Sequence, residues 1–297
     1  MIPLQQVLGQ LFSGGLTTYA ILDGAQVPEL PQRLQPSGLD HVCLYRGEIP
    51  DDLAQVAPYL VALKRDDRFT AWILEQGWGS NWGIYAKADS QVGFQDIRKH
   101  FRTFLMVTAP SGKAIYFRYY DPRVLRVYLP TANNAELSQV FGPVQEYAME
   151  NLQANALDQF SAPQVQVKSP GGLKIRAAQM AAFDAQAENQ FSQRMAAQAQ
   201  QQFPEECAQL KPEVLEQRVR TQLATARRHD ITARNDLCDF IAVCFMLGDD
   251  FDTAPELPWV AATLNDSTLP TSSAKMAHLR AQLSAHLDRS TIPRSPR

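Results

Sequence analysis

The stretch Phe101–Thr131, FRTFLMVTAPSGKAIYFRYYDPRVLRVYLPT, constrains the fold more than any other. Two apolar runs, Phe104–Ala109 and Ala114–Tyr120, flank Pro110-Ser111-Gly112-Lys113, the composition of a reversing turn, which predicts a hairpin. The second run stops at Asp121-Pro122, where an aspartate can cap a helix whose first residue is proline. Val124, Leu125, Val127 and Tyr128 carry that helix toward Pro130. Arg118, Arg123 and Arg126 are threaded through this apolar block and need either partners or a route to water. Asp121 is the nearest partner, and an Arg–Asp pairing that stitches hairpin to helix is the stronger reading. A clamp on a phosphate or carboxylate is the alternative.

Around this segment short strands alternate with short helices. Helical spacing marks Ile2–Phe12, Phe69–Leu74, Gln91–Phe101 and Ala135–Phe141, with a helical turn at Asp51–Pro58. Thr18–Leu22, His41–Tyr45, Leu60–Leu63 and Ile84–Ala86 read as strands, and the alternation of Val144–Met149 as an edge strand. Residues 1–160 are therefore expected to form an α/β lobe, with a mixed sheet and an antiparallel hairpin. Pro and Gly cluster at 161–172, taken as the linker. Residues 173–290 read as an all-α lobe: Arg176–Gln202, a helix opened by Pro212, a buried Asn235–Leu247 capped by Thr232 and stopped by Gly248, and a last helix after Ser272 and Ser273. Residues 291–297 read as a tail.

With 28 Lys+Arg against 31 Asp+Glu the charge is near balance. The split is 13 basic to 16 acidic over 1–160 and 15 to 15 over 161–297. No basic face suggests nucleic acid or an anionic membrane as a partner. The N-terminus lacks a basic, apolar leader, no window suits a spanning helix, and the four cysteines form no CxxC pair. A cytoplasmic protein with free thiols is expected.

Chemistry-bearing patterns are sparse. Gly248–Asp252, GDDFD, lacks the glycine and distal glutamate of a calcium loop, so a solvated cap is the stronger reading and no metal is expected. His41 and Cys43 share a strand face as a conceivable nucleophile pair. The loop Gly77–Gly83 has no following Lys-Ser/Thr, so it is neither a P-loop nor a dinucleotide fingerprint, and no cofactor is implied. Trp78 and Trp82 in it read as packing or contact aromatics.

Taken in order, Leu22-Asp23-Gly24-Ala25, Cys43-Leu44-Tyr45-Arg46-Gly47-Glu48, Ala57–Val61, Gly77-Trp78-Gly79 with Trp82-Gly83-Ile84, Phe117–Leu125 (FRYYDPRVL) and Phe141-Gly142-Pro143-Val144 form a series. Over roughly residues 18–150 it resembles the type VI secretion effector chaperones, or adaptors (Tec), whose N-terminal domain is of the DUF4123 type. Gly248–Trp259 resembles the helical extension some of them carry. The resemblance implies a non-enzymatic cytoplasmic protein that holds a secreted toxin effector and loads it onto the spike protein (VgrG), with the α/β lobe gripping the C-terminal segment of the spike or the N-terminal region of the effector. Arg46, Trp78, Trp82, Arg118, Tyr120, Asp121, Arg123 and Arg126 are the expected partner-binding residues. The competing expectation is a small hydrolase or nucleotide-binding enzyme using a cleft between the lobes with Asp23, His41, Cys43 or GDDFD.

Overall fold

A computed structural model describes residues 3–152, 154–167 and 171–291 of the chain. It divides into two compact units, Met1–Asp184 and Ala185–Arg297.

The first unit is built on one sheet. Its elements run α1 (Leu4–Leu11), β1 (Thr17–Asp23), α2 (Leu30–Leu34), β2 (His41–Cys43), α3 (Asp51–Val56), β3 (Pro58–Ala62) and α4 (Arg68–Gln76). Then come β4 (Gly83–Ala88), α5 (Phe94–Arg102), the hairpin β5 (Met106–Thr108) and β6 (Ala114–Tyr116), α6 (Pro122–Thr131) and α7 (Asn134–Phe141). Strands β7 (Val144–Asn151) and β8 (Ala156–Ser161) complete it. The strand order is β2-β3-β1-β4-β7-β8, and each pairing in this sheet is antiparallel. The helices and sheet match the expected architecture, while the parallel pairs of a mixed sheet are not among these six strands.

Both sheet faces are covered, which is why β1 is buried at nearly every position. Along β1, Tyr19 and Ile21 face one core with Ile84, Ala86, Tyr147 and Met149. Ala20 and Leu22 face a second core with Tyr59, Val61 and Ala148. The first core is closed by α5, the hairpin, α6 and α7, and the second by α1, α2 and α4. Strand β7 lies between β4 and β8, so the expected edge strand is an internal one. Its alternation reflects two different cores rather than core and solvent. The edge falls to β8, which begins just past an Asn155 with φ 46 and whose broken apolar pattern hides it.

Gly83 stands where β4 leaves the tryptophan loop; a Cβ there would meet the Ile21 carbonyl oxygen at 2.2 Å. Gly142 is similarly constrained, with φ 46 and the His100 ring 2.5 Å from where its Cβ would be. His100 donates from Nε2 to the Val140 carbonyl at 2.9 Å and packs edge-on to Phe104.

The chain after the proline–glycine stretch does not leave the first unit at once. Thr108 accepts from the Ile175 N–H at 2.8 Å and donates to the Leu173 carbonyl at 3.1 Å, so this segment adds to β5. Leu173 and Ile175 complete the first core, together with Met180 and Phe183. Arg176 clasps Glu136, which Gln179 also reaches at 3.0 Å. The unit boundary therefore falls at Asp184/Ala185, inside α8 (Ala177–Gln202), and not at 161–172. Residues 168–170 of that stretch lie outside the described residues, as does the tail after Thr291.

The second unit continues with α9 (Pro204–Cys207), α10 (Pro212–Arg228), α11 (Arg234–Leu247), α12 (Pro258–Leu264) and α13 (Ser272–Thr291). Helix α11 is its buried centre, through Leu237, Phe240, Ile241 and Cys244. Gly248 ends it at φ 100. The N-cap is Ala233 rather than Thr232, with no side-chain cap bond. The Asp236 carboxylate in its first turn instead accepts from Ser272 and Ser273 at 2.6 and 2.9 Å, tying α11 to α13.

Two outcomes are expected. Gly83→Ala should lower Tm by roughly 5–10 °C, since backbone cannot move aside cheaply for a methyl group. Burial pulls the His100 imidazole down to about 4, only partly opposed by its bond to Val140. The native state then stays neutral where the unfolded chain takes up a proton. Stability should thus rise between pH 4 and 6.5, with His100 contributing on the order of 3 kcal/mol. Thermal melts across that range should show a flatter profile for His100→Gln.

Candidate partner-binding surface

Two clusters of the expected residues form in the first unit, joined by α6. The first lies where β1, the segment after β2 and the hairpin converge. Asp23 ends β1, 1% exposed, and its Oδ1 accepts from the Ala25 N–H at 3.0 Å. Its Oδ2 accepts from Arg118, 95 residues away in the chain. Gly24 lets this turn approach β3: a Cβ there would stand 2.5 Å from the Ala57 carbonyl oxygen. Asp121 caps α6 by accepting the Arg123 N–H at 2.9 Å, as the Asp-Pro signal predicts. The same carboxylate takes the Arg123 guanidinium through two bonds, 2.9 and 2.7 Å. Arg123 therefore serves the helix start, and the pairing reading is the one its geometry matches.

The hairpin is shorter than the apolar runs suggest: the Phe117 N–H still donates to the Leu105 carbonyl at 3.0 Å, and Arg118–Tyr120 turn away from it. Its outward pair is Met106 opposite Tyr116, 53% and 40% exposed. The Tyr116 hydroxyl is 3.0 Å from those of both Tyr45 and Tyr120. Tyr45 sets its ring edge-on to Tyr116 at 6.2 Å, and Arg118 lies over the Tyr120 ring at 6.0 Å. Burial pushes the Tyr120 phenol up to about 12, and burial pushes the Tyr116 phenol up as well. Beside it, Arg46 is exposed. Arg102 gathers the Cys43, Leu44 and Tyr45 carbonyls, fixing the segment that presents Tyr45 and Arg46. The result is an exposed methionine, a tyrosine and an arginine on a rigidly bonded base, a combination enriched at protein interfaces.

The second cluster centres on Glu150 of β7. Its two oxygens accept the Gly79 and Asn81 N–H groups at 2.5 and 2.6 Å, so one carboxylate holds the tryptophan loop. Burial pushes that carboxyl up, with the loop N–H groups and Arg126 pulling it back. Arg126 bonds the Glu150 carbonyl and, at 2.6 Å, Asp158 of β8. Trp78 and Trp82 pack against the second core, and Trp82 lies 4.9 Å from the Trp72 ring, over which Arg33 sits at 4.4 Å. The crevice here, lined by Trp78, Trp82, Tyr85 and Glu150, has a volume of about 10 Å³, room for one water at most. Trp78, Trp82 and Arg126 thus hold strands and loop together.

The patterns weighed for catalysis have structural partners. His41 Nδ1 donates to the Leu39 carbonyl at 2.8 Å, and burial pushes the Cys43 thiol up, away from the thiolate a nucleophile needs. In GDDFD, Asp249 accepts from Arg218 at 2.7 Å and Asp252 from His229 at 3.1 Å. Among the described residues no three His, Cys, Asp or Glu side chains are grouped to hold a metal ion, and no helix is long and apolar enough to cross a membrane. Tyr45, Tyr116, Met106, Arg102 and Glu150 belong to the surface or its support and were not singled out by the sequence. The one local signal was Tyr45 beside Arg46; the rest depend on contacts distant in the chain.

Asp121→Ala removes both a cap and the partner of Arg123, and should cost about 1–3 kcal/mol. Arg123→Ala leaves the cap intact and should cost under about 1 kcal/mol, the arginine being partly exposed. Chemical denaturation of the two variants checks that order.

A family model described as "Domain of unknown function (DUF4123)" matches residues 18–139. Comparison with curated proteins and with solved structures finds no match for the chain.

Proposed function

We propose that this chain is a non-enzymatic adaptor that holds a secreted toxin effector and loads it onto the VgrG spike of a type VI secretion system in the cytoplasm. The matched domain is associated with effector chaperones of that system. The match covers β1–β4, the tryptophan loop, the hairpin and α6, which include the elements that build the tyrosine–arginine surface. The observation that carries the reading is the exposed Met106–Tyr116 pair beside Arg46 within that matched region. Large apolar and arginine side chains left in water on a supported base suit a docking face, where a few such residues supply most of the affinity.

Roles divide by exposure. Arg46, Met106 and Tyr116 meet the partner, in this reading the C-terminal segment of the spike. Tyr120, Asp121, Arg118 and Arg123 hold the face in shape, and Trp78, Trp82 and Arg126 brace the sheet behind it.

Affinity capture of the tagged full chain from its native cytoplasm, followed by mass spectrometry, tests the reading. The expected result is recovery of a spike protein and one large toxin. Arg46→Glu with Tyr116→Ala should lower spike recovery at least tenfold, since each such anchor contributes about 1–3 kcal/mol, while Tm stays within about 2 °C of the parent. Recovery of neither partner, or undiminished recovery by the folded variant, would contradict it.

A further inference from the structure

The second unit carries a groove of about 600 Å³ between the outer face of α10 and the loop after α11. Leu210 and Val214 give it an apolar wall, and Val214 is 50% exposed. Glu213 and Asp250 stand along it, both exposed, and neither enters an ion pair among the described residues. The other carboxylate, Asp249, is already engaged by Arg218, whose guanidinium lies 4.2 Å over the Phe245 ring.

The informative residue is Gln222, which lines the groove and is only 4% exposed. Its Nε2 donates to the Asp249 carbonyl at 3.0 Å, but its Oε1 has no partner. A buried amide oxygen without a donor is costly, and such an atom at a binding groove is explained by a donor that arrives with a ligand. Among the described residues, the unpaired charges along the groove are two carboxylates, Glu213 and Asp250, its buried unpaired atom is the Gln222 amide oxygen, and the one cation lining it, Arg218, is already paired with Asp249. The complement is a cation with several N–H donors on an apolar body.

The shape narrows it further. Val214, Gln217 and Thr221 follow one another at helical spacing on α10 along the groove, and Leu210 lies just before the helix. That row is roughly 10 Å long at about 1.5 Å per residue, the length of two helical turns. We infer that the groove receives an amphipathic helix of a partner protein, with its leucine-like face on Leu210 and Val214 and a lysine or arginine reaching Gln222, Glu213 and Asp250. The inference rests on the adaptor reading in taking the cargo effector as the source of that helix, while the recognition chemistry is independent of it.

The test uses the full chain and two fluorescein-labelled 14-residue peptides with leucine on one helical face. One carries lysine on the other face and its twin carries glutamine. Fluorescence anisotropy should show the lysine peptide binding at least tenfold more tightly than its twin. Glu213→Lys with Asp250→Lys should abolish that preference. The charge-matched control Asp66→Lys with Glu75→Lys, on exposed sites of the first unit, should keep it. Gln222→Leu should weaken the lysine peptide at least fivefold with Tm maintained or raised, an effect that general charge attraction does not produce. Equal binding of the two peptides, equal loss in the control, or an unaffected Gln222→Leu variant would overturn the inference. Since no secretion protein is in the assay, failure here leaves the spike-capture result standing, and failure of that capture leaves this one standing.

Discussion

The buried carboxylate of Asp23 is the constraint on which the first unit depends. It ends the central strand of a sheet covered on both faces, where an unpaired charge would cost several kcal/mol. It is answered by Arg118 from the far side of the hairpin and by the N–H of the turn it begins. That demand fixes where the hairpin lies, and the hairpin in turn fixes Tyr116 and Tyr120 against Tyr45. Asp121 and Arg123 then start α6 in register with the same strand end. One buried charge thus converts three separate loops into a single shaped surface.

Helix α6 carries the order across the sheet. Arg123 near its start is held by the Asp121 cap, and Arg126, about one turn on, reaches Glu150 and Asp158 on β7 and β8. Glu150 spends its carboxylate on the tryptophan loop, so the loop glycines provide N–H groups to the protein itself. Arginines that look surplus in the sequence are nearly all engaged in this framework; Arg46 alone of the expected arginines is left exposed without an ion pair among the described residues.

What the residues revealed in advance follows from distance along the chain. The Asp121 cap, the Arg123 pairing, the Pro-Ser-Gly-Lys turn and the Gly248 stop are local, and each was legible. Asp23 with Arg118 and Glu150 with Gly79 are separated by 95 and 71 residues, and no pattern in one sequence announces them. Strand β8 escaped because its Leu157 and Phe160 point into different cores, and α2 and α12 because a five- and a seven-residue helix show too little periodicity. The boundary at 161–172 misled because Leu173 and Ile175, apolar residues just past the glycines, return to the hairpin before the chain moves on.

The central claim, that the tyrosine–arginine face is where the first unit meets its proposed partner, is tested most directly by hydrogen–deuterium exchange of the full chain, free and mixed with the spike protein proposed as that partner. The account predicts at least tenfold slower exchange on binding at residues 43–48 and 113–118, with residues 77–82 unchanged because Glu150 already holds them. Unchanged exchange at 43–48 and 113–118, with protection confined to other segments, would contradict it.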